Sequence, residues 1–198
     1  MMRSAFVLIF VMIATTGTAL QAQSIDYTIS PKLGFFAPLA DLSETDSVTS
    51  KLKTGLALGL ALEFDFRASP FSVRANADIA VNSDVESGGT GSGLKADQLN
   101  LVGDLVIRPF SRNYIVQPFV LGGAGIKRYT FSDDDFDIST SEQSFTWHAG
   151  AGIILDFGGA KLSLELSDYI SSYEPAGAAE SKAQHDIFGM LGLRIPLN

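Results

Sequence analysis

From Thr54 to Arg67 two classes of residue take strict turns. Leu56, Leu58, Leu60, Leu62, Phe64 and Phe66 fall on one face, and Ala57, Gly59, Ala61, Glu63, Asp65 and Arg67 on the other. Successive side chains of a β-strand point to opposite sides of the sheet, so this period of two is a strand signature that no helix reproduces. One face is apolar throughout, while the other mixes small residues with charge. Any fold for this chain must supply an apolar surrounding to one side of its strands and a narrow, polar one to the other.

The pattern recurs seven more times. The first segment, Ile25 to Pro38, sets Tyr27, Ile29, Leu33 and Phe35 against Ser30, Lys32 and Gly34. The third, Phe71 to Asn82, opposes Val73, Ala75, Ala77 and Ile79 to Arg74, Asn76 and Asp78. The fourth spans Gln98 to Pro109, with Asn100, Asp104 and Arg108 on its polar side. The fifth, Tyr114 to Phe131, is the least regular, because Gly122-Gly123-Ala124-Gly125 blurs its faces. The sixth covers Ser144 to Phe157, the seventh Lys161 to Tyr169 and the eighth Asp186 to Asn198. Eight segments of about ten residues fit a small antiparallel up-and-down barrel.

Connections alternate in length. Arg67 to Pro70, Phe110 to Asn113 and Phe157 to Ala160 read as tight turns. Pro38 to Thr54, Asp84 to Lys95, Ser132 to Glu142 and Ser171 to Gln184 read as long polar loops. Short periplasmic turns and long outer loops characterise bacterial outer-membrane barrels, and eight strands then leave both termini periplasmic.

The first residues read as an export signal. Arg3 precedes the apolar run Ala5 to Ala14, too short to span a bilayer, and cleavage is expected after Ala19 or Ala22. Residues 1–22 are therefore expected to be removed, leaving 23–198 as a single barrel domain. Of 14 basic residues Arg3 is lost with the signal, so 13 face 22 acidic ones and the mature charge is −9. Nucleic-acid binding, which needs clustered Lys and Arg, is not expected. With no Cys in the chain there is no disulfide framework, and none near the cleavage point for a lipid anchor.

Periodicity alone does not say which face looks inward. A soluble carrier barrel would turn its apolar face in and cover its outside with Lys and Glu. Here the polar face is largely Gly, Ala, Ser and Asn with isolated charges, which suits a narrow lumen filled by side chains. A Lys or Arg facing lipid at midplane costs about 2–4 kcal/mol, and the apolar-face positions almost never carry charge. Aromatics gather near segment ends: Phe64, Phe66, Phe71, Phe110, Tyr114 and Phe157 towards the tight turns, and Phe35, Phe131, Phe145, Trp147 and Tyr169 towards the long loops. Two interfacial girdles are expected. The fold class is thus all-β, an eight-stranded antiparallel up-and-down transmembrane β-barrel.

The chain resembles the eight-stranded outer-membrane β-barrel family typified by the transmembrane domain of outer-membrane protein A. The resemblance rests on Pro31-Lys32-Leu33-Gly34-Phe35-Phe36-Ala37-Pro38, Gln117-Pro118-Phe119-Val120-Leu121-Gly122-Gly123-Ala124-Gly125, Trp147-His148-Ala149-Gly150-Ala151-Gly152-Ile153 and Gly192-Leu193-Arg194-Ile195-Pro196-Leu197. It implies insertion by the barrel-assembly machinery. The closing Leu197-Asn198 departs from the family's frequent terminal aromatic, so recognition is expected to use Leu191, Leu193, Ile195 and Leu197. The peptidoglycan-binding domain of some relatives is not expected here.

Candidate chemistry centres on the lumen. Lys32, Arg74 and Arg194 are the basic candidates and Glu63, Asp78, Asp104, Asp156 and Glu165 the acidic ones. Charges in a narrow interior must be paired or hydrated, so a structural salt-bridge plug is expected, with a narrow conducting path as the alternative. His148 and His185-Asp186 are the enzymatic seeds, with Ser144, Ser167 and Ser181 as candidate nucleophiles. No spacing selects a Ser–His pair, so a lipid A-modifying enzyme is the third reading and no catalytic residue is assigned. The acidic run Ser132-Asp133-Asp134-Asp135-Phe136-Asp137 lacks the spacing of a calcium loop. No metal or cofactor is expected. A monomer in the bacterial outer membrane is expected, with outer-membrane lipids, lipopolysaccharide and the assembly machinery as its partners.

Overall fold

The computed structural model describes residues 25–39, 43–45, 48–66, 69–87, 90–110, 114–133, 138–173 and 182–197. The residues expected to form the export signal lie outside these, as do Arg67, residues 111–113 and 134–137, and Ser181. The described residues form ten strands: β1 (Ile25–Pro38), β2 (Ser43–Thr45), β3 (Val48–Leu52), β4 (Gly55–Phe66), β5 (Phe71–Ser87), β6 (Thr90–Ile107), β7 (Val116–Asp133), β8 (Ile138–Asp156), β9 (Lys161–Tyr173) and β10 (Lys182–Pro196). Eight of them are staves of one closed antiparallel barrel, in the order β1-β4-β5-β6-β7-β8-β9-β10 and back to β1. The seam is long, running from Thr28↔Pro196 to Pro38↔Asp186. β2 and β3 form a small hairpin attached to the upper part of β5, so they lie outside the barrel count.

The period of two in the sequence is the inside–outside alternation of the wall. Along β4, Ala57, Ala61, Glu63 and Asp65 are buried, while Leu56, Leu58 and Leu60 are exposed outside. The same division holds on β5, where Ser72, Arg74, Asn76 and Asp78 point in and Phe71, Val73 and Ile79 point out. Tyr27, Phe71, Phe110, Tyr114 and Phe157 are exposed towards the tight-turn end, and Phe35, Phe145 and Trp147 towards the other. Tyr169 does not join that girdle. It is fully buried in the lumen, because it shares the inward parity of Ser163, Glu165, Ser167 and Ser171.

The tight turns are built as their residues suggest. Phe157 N–H donates to the Ala160 carbonyl at 3.0 Å, and Gly158 N–H donates to Asp156 Oδ1 at 2.9 Å. Gly158 has φ 79°, which a residue with a Cβ adopts only with strain. At the opposite end, several stretches expected to be loops are strand. Asp84 pairs with Lys95 and Glu86 with Gly91, so β5 and β6 extend through the expected second loop. β7 and β8 likewise pair up to Asp133↔Ile138. The sequence of these extensions is largely polar, so the apolar–polar alternation that marks a strand is missing there.

Candidate functional site: the charged lumen

Eight staves leave an interior narrow enough for side chains to reach across, and many of the inward side chains here are charged. Among the described residues the buried ionisable set is Lys32, Arg74, Arg108, Lys127 and Arg194 against Glu63, Asp65, Asp78, Asp104, Glu165 and Asp186, with His148. All of them sit at inward parity on their strands.

Nearest the tight turns, Glu63 Oε2 accepts from Arg74 Nη2 at 2.9 Å, Arg74 Nε at 3.1 Å and Arg194 Nη1 at 2.9 Å. Arg108 pairs with both Glu63 and Asp65, and Ser72 Oγ donates to Asp65 at 2.5 Å. Arg74 then reaches Glu165 Oε2 at 2.5 Å. Next, Lys32 Nζ donates to Asn76 Oδ1 at 2.7 Å and lies 2.9 Å from Asp78 Oδ1 and 3.5 Å from Glu165 Oε1. The ladder continues through Tyr169, whose hydroxyl donates to Asp78 Oδ2 at 2.5 Å. His148 stacks on the Tyr169 ring with centroids 4.2 Å apart, and its Nδ1 is 2.7 Å from Asp104 Oδ1.

A second cluster lies towards the long-connection end. Asp186 Oδ2 accepts from Lys127 Nζ at 2.5 Å, Tyr129 Oη at 2.7 Å and Gln98 Nε2 at 3.2 Å. Lys127 also donates to Ser171 Oγ at 2.9 Å, and Gln184 Nε2 donates to Tyr129 Oη at 2.7 Å. Apolar groups fill the spaces between the polar tiers. Phe36, Phe188, Met190 and Tyr169 pack together on one side, with Phe36 and Phe188 centroids 5.2 Å apart. Val106, Phe119, Leu121 and Ile154 pack on the other, where the Arg74 guanidinium lies 5.2 Å from the Phe119 centroid.

Small residues make this filling geometrically feasible. A Cβ on Gly59 would lie 2.8 Å from Lys32 Cε and closer still to the Asp78 carboxylate. The glycine leaves room for the Lys32–Asp78 pair. Gly152 does the same for the ring of Phe119.

Of the residues singled out in the sequence, Lys32, Glu63, Arg74, Asp78, Glu165 and Arg194 come together in one network, and Asp104 joins its neighbourhood through His148. Asp156 stands apart. It meets Lys161 at 2.8 Å beside the Gly158 turn, with its side chain partly exposed, because it is the last residue of β8. Sequence reasoning did not single out Asp65, Arg108, Lys127 and Asp186 for the network. Strand parity was the available signal for Asp65, Arg108 and Asp186. Lys127 was hidden, since Phe119 and Leu121 are apolar yet point inward, and the glycines beyond them mark no face.

The remaining candidates are placed as follows. His185 faces outward and its Nδ1 is 2.7 Å from Asp168 Oδ2. Ser167 is buried in the lumen. His148 meets Asp104 and Tyr169, and His185 meets Asp168, so carboxylates rather than nucleophilic serines occupy these histidine contacts. Among the described residues no group of three or more His, Asp or Glu is arranged to hold a metal ion. Most of the acidic run, residues 134–137, lies outside them.

The family model for the outer membrane protein beta-barrel domain matches residues 6–172. The chain belongs to this family. That assignment makes the leucine-rich exterior a lipid-facing surface of the bacterial outer membrane, and the barrel a membrane fold. Solved structures agree on the architecture. Neisserial surface protein A superposes with TM-score 0.59 at 8% identity, covering 87% of this chain and 98% of that one. A major outer membrane protein from Thermus thermophilus gives 0.58 at 12% identity, with coverage of 88% and 100%. OprG from Pseudomonas aeruginosa gives 0.57 at 16% identity, with coverage of 87% and 97%. At such identities the likeness is one of fold alone. A comparison with curated protein sequences finds no match.

Proposed function

We propose that this member of the family is a monomeric surface barrel with a closed lumen, serving a structural and surface-interaction role. The observation that carries the reading is the cross-lumen ladder from Asp65 to Tyr169, in which each strong charge meets an opposite one and apolar layers fill the remainder. Such an interior has little space for solute, and opening it would leave buried charges without partners. The outward aromatics and leucines make outer-membrane lipids, including lipopolysaccharide, its surroundings. The alternating Leu191, Leu193, Ile195 and Leu197, in and just after β10, offer the barrel-assembly machinery its handle. The tight turns and both termini face the periplasm and the extended hairpins face outward. Residues 1–22 are the export signal, and the role needs no cofactor.

Planar-bilayer recording on the refolded chain tests the lumen. We expect no steady single-channel current, and regular open steps would replace the plug with a narrow channel. Protease added to intact cells tests the orientation. Cleavage within residues 84–95 or 132–142 supports it, whereas cleavage at 67–70 overturns it.

A further inference from the structure

The outer wall is uneven between β4 and β8. Leu56, Leu58, Leu60 and Leu62 follow one another along the outward face of β4, but the next three staves place Ala75, Gly103 and Ala124 side by side in one paired row. Phe145, Ile126 and Leu101 form the neighbouring row on one side, Leu105 and Val73 flank it on the other, and Leu62 stands at its end. The result is an apolar groove of about 980 Å³ on the lipid-facing surface. No contact requires its glycine floor. A Cβ at Gly103 would meet nothing within 4 Å, whereas at Gly123 or Gly125 on β7 it would strike the backbone of β6.

The groove is oblique. Traced through paired residues from Phe35, the wall meets β5 at Val81 in one direction and at Phe71, nearer the tight turns, in the other. Each row therefore slants, and this one descends from β7 towards the tight-turn end at β4. Its upper mouth is flanked by Phe145 and Trp147, aromatics of the long-hairpin end. From Ala124 to Leu62 three steps of about 4.8 Å cover roughly 14 Å, close to half of a hydrocarbon core about 30 Å thick. Above the mouth, Arg128 is the next outward residue after Ile126 and is exposed. The outward acid on β6, Asp97, lies one position farther out, opposite Thr130.

We propose that this groove seats one acyl chain of an anionic phosphate-bearing lipid, whose phosphate rests on the Arg128 guanidinium. The cation sits at the upper end and the apolar trough descends from it, which matches the order of headgroup and chain in such a lipid. Arg–phosphate hydrogen bonds are charge-assisted and can be bidentate, and the groove supplies the chain with side-chain contacts on both flanks. The seat rests on the reading that membrane lipids surround the exterior, and neither on which side the hairpins face nor on whether the lumen conducts. A second copy of this chain is the poorer occupant, because a two-fold contact sets the same face against itself. Groove would meet groove and leave both unfilled, and both Arg128 side chains would lie in the one interface.

The test uses the full chain in nanodiscs and the fluorescence of Trp147, the chain's one tryptophan, which pairs with Ala124 across the ladder beside the groove. The probes are phosphatidylglycerol and phosphatidylcholine, each brominated at mid-chain and diluted at equal mole fraction into unlabelled phosphatidylcholine. At low salt the phosphatidylglycerol probe should quench with an apparent affinity about fivefold higher, the preference that one basic residue near a membrane surface supplies. Arg128→Gln should bring the ratio of affinities to about one. Gly103→Leu, whose side chain enters open space, and Ala124→Leu should each keep heat-modifiable migration and lose the preference as well. A preference that survives in both folded leucine variants would reduce the effect to surface charge and overturn the seat. Absence of any headgroup preference in the wild type would overturn it too, as would dimers covering this face, seen by cross-linking through a single Ile126→Cys. If neither lipid quenches Trp147, the lipid-facing reading fails and the seat with it.

Discussion

Arg74 on β5 donates to Glu165 on β9 at 2.5 Å, and these staves stand four apart in a ring of eight, on opposite walls. The pair ties the barrel across its diameter. Glu165 is also 3.5 Å from Lys32, so one carboxylate faces two cations. Glu165→Gln should leave both short of negative charge at a buried position. Losing one member of a buried pair costs about 3–5 kcal/mol, and the urea midpoint of the lipid-reconstituted protein should fall accordingly. Adding Arg74→Gln should recover part of the loss. Strictly additive effects would mean that the two groups do not interact.

Space is as tightly allotted as charge. A Cβ at Gly59 lies 2.8 Å from Lys32 Cε, closer than ordinary contacts allow. Gly59→Ala should push Lys32 away from Asp78 and lower stability by about 1–3 kcal/mol, the usual range for overpacking. Outward Ala75→Gly changes no lumen contact and serves as the control. Equal midpoints for wild type and Gly59→Ala would show that Lys32 has room to move.

Lipid contact predicts a dependence on depth. Leu60 is about half exposed near the middle of β4, and Tyr27 is comparably exposed near the start of β1. Leu60→Arg should destabilise by about 2–4 kcal/mol and Tyr27→Arg by at most about 1 kcal/mol. Equal costs at the two sites would argue against a bilayer around the leucine face.

The lower wall is legible in the sequence because two environments, lipid and lumen, impose opposite chemistry on alternate residues. Leu56 to Phe66 on β4 is the clearest case. Where only one environment acts, the signal disappears. Asp84 to Lys95 is largely strand yet reads as loop, since its polar, glycine-rich sequence carries no apolar alternation. Tyr169 was misplaced for a related reason: an aromatic near a strand end suggests a girdle, but parity had already assigned that position inward. The network was partly readable from parity, whereas its pairing was not. Glu165 meets Arg74 and Asp78 meets Tyr169 across the diameter, and such contacts depend on shear, which one strand's pattern does not encode.

The upper cluster offers a comparison between removing a charge and replacing a pair. Lys127 and Asp186 are both fully buried, 2.5 Å apart on β7 and β10. Lys127→Met should strand the Asp186 carboxylate and cost about 3–5 kcal/mol. The double variant Lys127→Met with Asp186→Leu removes both charges and roughly conserves volume, and replacements of this kind range from neutral to stabilising by about 1–4 kcal/mol. Tyr129 and Gln98 would then lose their acceptor, at about 1 kcal/mol for each neutral hydrogen bond. The double variant should therefore lie close to wild type and well above the single one in unfolding midpoint. If it is instead the least stable of the three, this pair contributes net stability to the fold, and the ion ladder does more than satisfy charges that the lumen encloses.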